Sequence, residues 1–193
     1  AKRAAFAQAE ADQQLAHERL RCDLFCAAFF APKTTANANK VPLSGDLVRA
    51  AEGQPLRPGV AELTNELAEE YHFFHWRLAF PEVFTQGGFD VVVGNPPYVR
   101  QELLTPFKPW LEQRYASYHG MADLYVYFYE LGMQLLRPGG LMSYIVTNKW
   151  MKAGYGEPLR RFFRDQAWVR SVVDFGHAKQ IFEEADVFPC IIV

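Results

Sequence analysis

The clearest pattern of apolar and polar positions predicts a helix from Ala122 to Leu136. Asp123 suits its N-cap, and apolar residues recur at helical spacing along one predicted face: Leu124, Phe128, Leu131 and Leu135. The following Pro138-Gly139-Gly140 ends the helix, because proline cannot continue it and glycine favours the final turn. Similar spacing predicts a helix beginning at Val60 and a basic helix over 157–166.

Short runs of β-branched residues predict strands between these helices, at 91–93, 141–147, 169–175 and 187–193. The order strand, helix, strand, helix, strand predicts an α/β fold with a mainly parallel sheet and flanking helices. The run Val91 to Val93 is too short for a helix and is typical of a strand buried on both faces.

The first part of the chain has a different pattern. Residues 1–30 are rich in Ala, Gln, Glu and Leu, which predicts one or two helices, and 31–59 concentrate Pro and Gly, which predicts a loop. We therefore expect residues 1–70 to be a helical connector. His75 lies in an aromatic stretch, and we expect it to be packed and hydrogen-bonded instead of acting as a base.

Composition narrows the possible functions only modestly. Half of the 193 residues are apolar, enough for a packed core, and no run approaches the ~18 apolar residues of a membrane span. Three cysteines lack metal-ligand spacing, so we expect no metal site and a reducing cytoplasm. Net charge is −2, yet residues 94–179 contain 11 Lys and Arg against 7 Asp and Glu. This local excess is compatible with phosphate contact or with ordinary solvated helix faces.

The candidate chemistry lies in the loop Gly94-Asn95-Pro96-Pro97-Tyr98. Gly94 breaks the strand, and Pro96 restricts Asn95 to an extended conformation. The two prolines carry no backbone donors, so this stiff loop offers two acceptors, the Asn95 amide oxygen and a proline carbonyl. Tyr98 adds a flat face for stacking. Such a loop is suited to bind a planar group that carries an amino substituent. The alternative interpretation of the sequence is a simple turn after a core strand.

The tetrad Asn95-Pro96-Pro97-Tyr98 resembles the target-amine motif of amino-methyltransferases that use S-adenosyl-L-methionine. From about Tyr71 onwards the chain is similar to the catalytic domain of adenine-specific (N6) DNA methyltransferases of large bacterial restriction–modification enzymes. The matching pieces are Phe74-His75-Trp76, the 89–98 loop, Asp123-Leu124-Tyr125, Arg137-Pro138-Gly139-Gly140, Ile145–Trp150 and Ile181-Phe182 with the terminal strand. The resemblance implies a partial Rossmann-like methyltransferase fold over 71–193.

The same resemblance implies roles for individual residues. Asn95 and the Pro96 carbonyl would accept the two hydrogens of the adenine N6 amino group, and Pro97 completes the rigid loop. Tyr98 and Phe182 would contact a base rotated out of double-stranded DNA. The residues implied in the wall of the cofactor pocket are Asp123, Leu124 and Phe128.

The sequence departs from the family pattern in one respect. No acidic residue and Gly-x-Gly turn after a first strand precede the Asn95 loop. We therefore expect the chain to be part of a longer protein, with the cofactor-motif half upstream and a target-recognition domain downstream. We also expect that the chain alone binds S-adenosyl-L-methionine weakly or not at all and is inactive.

Three alternatives stay open at this point. The tetrad can also hold a protein glutamine amide or the N4 amino group of cytosine, although the cytosine enzymes more often carry Ser-Pro-Pro-Tyr. A non-catalytic module that binds DNA or protein is the third. Pro189-Cys190 resembles the Pro-Cys pair that carries the nucleophile of cytosine-C5 methyltransferases. Cys190 lies within an apolar strand pattern, however, so we expect it to be a core residue.

Overall fold

The computed structural model describes the backbone of residues 2–176 and 188–193, with side chains from Gln13 onwards. The chain forms two compact units, Ala1–Glu82 and Val83–Val193. The predicted division differs in kind, because it separates a helical connector, 1–70, from the catalytic half of a methyltransferase, 71–193. The assignment of a connector and a catalytic half stays a prediction. Within the described residues, no helix combines the length and the apolar character needed to cross a membrane.

The first unit is helical. Its helices are α1 (Lys2–Phe30), α2 (Ser44–Ala51), α3 (Val60–Glu70) and α4 (Trp76–Ala79), and α5 (Pro81–Thr85) follows at the boundary. The N-terminal pattern thus forms one continuous helix, and the helix predicted from Val60 is confirmed. The prediction of a loop throughout 31–59 is wrong for Ser44–Ala51. Asp46 accepts a hydrogen bond from the Leu43 backbone N–H at 2.9 Å and thereby caps this short helix.

Two polar contacts fix the helices of the first unit. The Arg57 guanidinium lies 2.6 Å from the buried Asp46 carboxylate, and its hydrogen bonds hold the pKa of Asp46 below the ordinary value. His75 Nε2 lies 2.7 Å from Asp23 Oδ1. This contact confirms the expectation that His75 is a packed, hydrogen-bonded residue.

In the second unit, the described residues form helices packed against a sheet of four strands. The strands are β1 (Phe89–Gly94), β2 (Leu136–Thr147), β3 (Val172–Asp174) and β4 (Pro189–Ile192). The helices are α6 (Lys108–Arg114), α7 (Leu124–Leu135), α8 (Lys149–Lys152) and α9 (Glu157–Gln166), with 3-10 turns at Thr105–Phe107 and Gly154–Gly156. The α/β class is confirmed, and the predicted basic helix has the bounds expected from the sequence.

The strand order is β1-β2-β4-β3, and the predicted direction of the strands needs a correction. β1 and β2 are parallel, with Gly94 opposite Tyr144, whereas β4 is antiparallel to both β2 and β3. Three strands therefore share one direction and β4 is reversed, so the described sheet is mixed. β4 is paired on both sides, with β2 and with β3, so it lies inside the described sheet and not at its edge.

The prediction that the Val91–Val93 run is buried on both faces is wrong in this chain. Val91 is 53% exposed and Val93 is 74% exposed, whereas Val92 packs on the core. β1 is an edge strand of the described sheet, and only one of its faces is covered. A continuous apolar run cannot distinguish these two situations, because burial depends on neighbours far away in the sequence.

Helix α7 forms the centre of the core beneath the sheet. Tyr125 and Tyr129 are fully buried, and Gly132 is buried beside β2, where a Cβ atom would stand 2.5 Å from the Tyr144 hydroxyl. The predicted inner face through Leu124 and Phe128 is only half-buried. A helix that is apolar on all sides does not reveal its deepest face by periodicity.

The cysteine of the terminal strand, Cys190, is part of the core. Cys190 is fully buried in β4, and burial raises the pKa of its thiol to about 11. A thiol of this kind is a poor nucleophile at neutral pH. The expectation that Cys190 is a core residue is confirmed.

Candidate active site

The candidate site lies at the carboxyl end of β1. Asn95, Pro96, Pro97 and Tyr98 follow Gly94 directly, and the parallel strand β2 ends at the same edge of the sheet with Thr147. In open α/β sheets, ligands bind beyond the carboxyl ends of the strands. The loop therefore has the position that a binding role requires.

The loop exposes the Asn95 side chain to solvent. Asn95 is exposed, while Pro96 beside it is buried and anchors the loop. In the described part of the chain, no group donates a hydrogen bond to the Asn95 side chain or to the Pro96 carbonyl oxygen. The exposed Asn95 amide is thus accessible to a ligand, and the Pro96 carbonyl oxygen is not engaged by a donor of the described residues. Pro97 is exposed and, like Pro96, contributes no competing N–H group.

Tyr98 is the aromatic member of the loop and is 39% exposed. Its ring centroid lies 6.2 Å from that of Tyr125, at an interplanar angle of 38°. Burial raises the pKa of the Tyr98 hydroxyl, so the ring is a neutral phenol at physiological pH. Tyr98 can therefore serve as a stacking surface but not as a base.

The start of α7 faces the segment that follows the loop. Asp123 Oδ1 accepts a hydrogen bond from the Gln101 backbone N–H at 2.9 Å, and the Leu124 N–H donates to the Val99 carbonyl oxygen at 2.9 Å. Leu124 and Phe128 are half-buried and pack against the core. Part of each apolar side chain therefore stays accessible at the start of α7.

The described residues do not confirm the roles predicted for Phe182 and Asp123. Phe182, expected on the other side of the target base, lies outside the described residues. Asp123 was expected in the wall of the cofactor pocket, yet one of its oxygens is engaged by the backbone of Gln101. Its second oxygen has no hydrogen-bond partner among the described residues.

Sequence reasoning missed the support beneath the loop. The Tyr125 hydroxyl lies 3.0 Å from that of Tyr155, so the residue under Tyr98 is tied to the 3-10 turn after α8. At the end of β2, Asn148 Nδ2 donates to Asp174 Oδ1 at 2.9 Å. Asn148 and Tyr125 lie in motifs that the resemblance quoted, but their partners follow only from the tertiary fold.

The Eco57I restriction-modification methylase model matches residues 13–182, which is most of the chain. The chain belongs to the Eco57I restriction-modification methylase family. The matched range contains the loop Asn95–Tyr98 and the start of α7 at Asp123. Membership in this methylase family agrees with the resemblance that these residues carry.

Individual relatives in the family point the same way. The chain is 34% identical over 139 residues to the type II methyltransferase M.BstVI of Geobacillus stearothermophilus, covering 71% of the chain and 24% of that protein. It is 38% identical over 106 residues to the type II methyltransferase M.XhoI of Xanthomonas vasicola, covering 54% of the chain and 19% of that protein. It is 29% identical over 116 residues to the restriction enzyme and methyltransferase RM.Eco57I of Escherichia coli, covering 58% of the chain and 12% of that protein. The chain thus spans about a quarter or less of these relatives.

Proposed function

We propose that this chain is the catalytic half of an adenine-specific (N6) DNA methyltransferase within a longer restriction–modification or phage-defence polypeptide. The observation that carries the proposal is the exposed Asn95 beside an anchored diproline at the carboxyl end of β1. The mixed sheet is then the second half of a Rossmann-like methyltransferase fold. The reaction takes place in the bacterial cytoplasm.

The loop holds the amino group of the target base. Asn95 Oδ1 and the Pro96 carbonyl oxygen accept its two hydrogens, which draws the nitrogen lone pair out of conjugation with the ring. With the methyl donor bound, the freed lone pair would bond to the methyl carbon while that carbon's bond to sulfur breaks and its electron pair stays on sulfur. The nitrogen would then lose one proton to water. Because no covalent enzyme intermediate is needed, the protein acts by placing the reacting atoms.

The target base must leave the duplex to reach this loop. Tyr98, partly exposed at the loop, stacks on the base from one side, and Phe182 contacts it from another. Within residues 94–179, Lys and Arg outnumber Asp and Glu, which favours binding to the phosphate backbone of double-stranded DNA.

S-adenosyl-L-methionine supplies the methyl group when bound. Leu124 and Phe128, half-buried at the start of α7, form one wall of its pocket, and Asp123 lies beside them. The remaining walls come from the upstream half of the longer polypeptide. The rest of that polypeptide, including a target-recognition domain, is therefore the partner this chain requires.

The test is a methyl-transfer assay on the full-length protein. Unmethylated plasmid DNA is incubated with S-adenosyl-L-methionine carrying a labelled methyl group, and the DNA is digested to nucleosides. We expect the label in N6-methyladenine. Label in N4-methylcytosine, label only in added protein, or no transfer at all contradicts the proposal. Heat-denatured enzyme serves as the control.

A further inference from the structure

Asp123 stands at the N-cap of α7 but does not cap its own helix. An N-cap aspartate ordinarily accepts a hydrogen bond from the second or third N–H of its helix. The Asp123 side chain makes no such bond. Its carboxylate instead accepts the Gln101 backbone N–H at 2.9 Å, three residues after Tyr98. The helix thus forgoes a local stabilising contact for one to the loop.

The contact between helix and loop is reciprocal. While Asp123 binds the N–H of Gln101, the Leu124 N–H at the first helical position donates to the Val99 carbonyl oxygen at 2.9 Å. Val99 directly follows Tyr98. The backbone on the carboxyl side of the loop is therefore held at two points by the start of α7, while β1 holds its amino side through Gly94.

The side chains reinforce this arrangement. The Tyr98 ring packs on Tyr125, the second residue of α7, at 6.2 Å between centroids. Tyr125 is fully buried and its hydroxyl lies 3.0 Å from that of Tyr155. Tyr98 thus rests on a residue that is itself fixed by two elements. The loop carrying Asn95 has little freedom to move away from α7.

We propose that Asp123 is a positioning residue for the loop Asn95–Tyr98, acting through the Gln101 N–H and not through contact with the methyl donor. This inference rests on the proposed function. The rate of a reaction that depends on precise placement of the reacting atoms is sensitive to displacements of about 1 Å. Loosening the contact between Asp123 and Gln101 therefore lowers kcat more than it weakens the binding of substrate. A residue that only lined the cofactor pocket would change the KM for S-adenosyl-L-methionine instead.

Three variants of the full-length protein separate these roles. Asp123→Asn keeps an acceptor oxygen for Gln101 and is expected to retain turnover within about threefold. Asp123→Ala removes the acceptor and is expected to lower kcat at least about tenfold, with the KM for S-adenosyl-L-methionine within about threefold. Asp123→Ser can cap α7 but is too short to reach Gln101, so it keeps the melting temperature while losing kcat.

The control is Asp90→Ala, which removes an exposed carboxylate paired with Arg137 at the opposite end of β1. It is expected to leave kcat and KM unchanged. Wild-type kcat in Asp123→Ser, or a raised KM with unchanged kcat, overturns the positioning role. If the wild-type protein transfers no methyl group, the proposed function fails independently of this inference.

Hydrogen exchange tests the contact without relying on activity. The Gln101 amide of the wild-type full-length protein is expected to exchange slowly, because its N–H is hydrogen-bonded to Asp123. Protection is retained in Asp123→Asn and lost in Asp123→Ser. Rapid exchange of the Gln101 amide in the wild-type protein overturns the inference even if every variant is inactive.

Discussion

Glu130 of α7 accepts a hydrogen bond from the Ser117 backbone N–H at 2.9 Å and a second from Ala116 at 3.1 Å. The Glu130 side chain is buried, with a residue exposure of 4%, so water cannot replace it. The turn between α6 and α7 is therefore anchored from inside the core by a single carboxylate.

Replacing Glu130 should consequently destabilise the second unit. Glu130→Ala leaves two backbone donors without their partner, and we expect the free energy of unfolding to fall by about 2–3 kcal/mol. Urea unfolding followed by circular dichroism measures the loss. Glu157→Ala, which removes an exposed glutamate paired with Arg161, is the control and should cost less than about 0.5 kcal/mol. Equal stabilities of the two variants would contradict this assignment.

The 3-10 turn Gly154–Gly156 offers a matched pair of glycines. A methyl group on Gly156 would overlap the Trp150 carbonyl oxygen, whereas a methyl group on Gly154 would meet nothing within 4 Å. We expect Gly156→Ala to lower the free energy of unfolding by about 1–3 kcal/mol, because backbone must shift to accommodate it. Gly154→Ala should stay within about 0.5 kcal/mol of wild type. Thermal unfolding of both variants tests the contact, and a neutral Gly156→Ala speaks against it.

The Asp46–Arg57 contact predicts a pH dependence of stability in the first unit. Hydrogen bonds from Arg57 lower the pKa of the folded Asp46 carboxyl, whereas the unfolded value is about 3.9. The unfolded state then binds more protons, so the contribution is complete above about pH 4 and is lost as pH falls through the lowered folded pKa.

Acid titration of unfolding free energy tests this dependence. Below about pH 4, the slope against pH should be smaller in Asp46→Asn than in wild type, by up to about 1.4 kcal/mol per pH unit. Asp90→Asn, which removes an exposed carboxylate in the second unit, is the control. Identical slopes in wild type and Asp46→Asn would show that Arg57 does not favour the charged form.

Tyr98 should act through its ring and not through its hydroxyl. In the full-length protein, Tyr98→Phe is expected to keep kcat/KM for DNA within about threefold, since stacking is retained. Tyr98→Ala removes a base–aromatic contact worth about 1–3 kcal/mol, so kcat/KM should fall about 10- to 100-fold. Trp168→Ala, which removes a 91% exposed ring before β3, is the control. A tenfold or larger loss of kcat/KM in Tyr98→Phe would show that the Tyr98 hydroxyl contributes to the reaction and would contradict the prediction.

Local patterns predicted much of the second unit. The bounds of α9 and most of α7 follow from apolar spacing, which is encoded within a few residues. Pro138-Gly139-Gly140 do not end α7, because the helix already ends at Leu135 and these residues lie in β2. The exposed position of Asn95 also agrees with the expectation from the diproline sequence. Features of this kind need no knowledge of distant neighbours.

Other features depend on distant parts of the chain and could not be predicted. Helix α2 lies within a Pro/Gly-rich segment, and its Asp46 pairs with Arg57, which lies outside the helix. The reversal of β4 and the open face at Val93 depend on which strands become neighbours. The bond from Gln101 to Asp123 joins residues 22 positions apart, and neither side chain type reveals it.

The most direct test of the central claim is single-turnover methyl transfer by the full-length protein carrying Asn95→Ala. Binding of the DNA substrate is measured in parallel, and Asn65→Ala, an exposed asparagine of α3, serves as the matched control. We predict that Asn95→Ala lowers the rate of methyl transfer at least about 100-fold while DNA affinity stays within about threefold. A rate equal to that of wild type would contradict the claim that Asn95 holds the amino group during transfer.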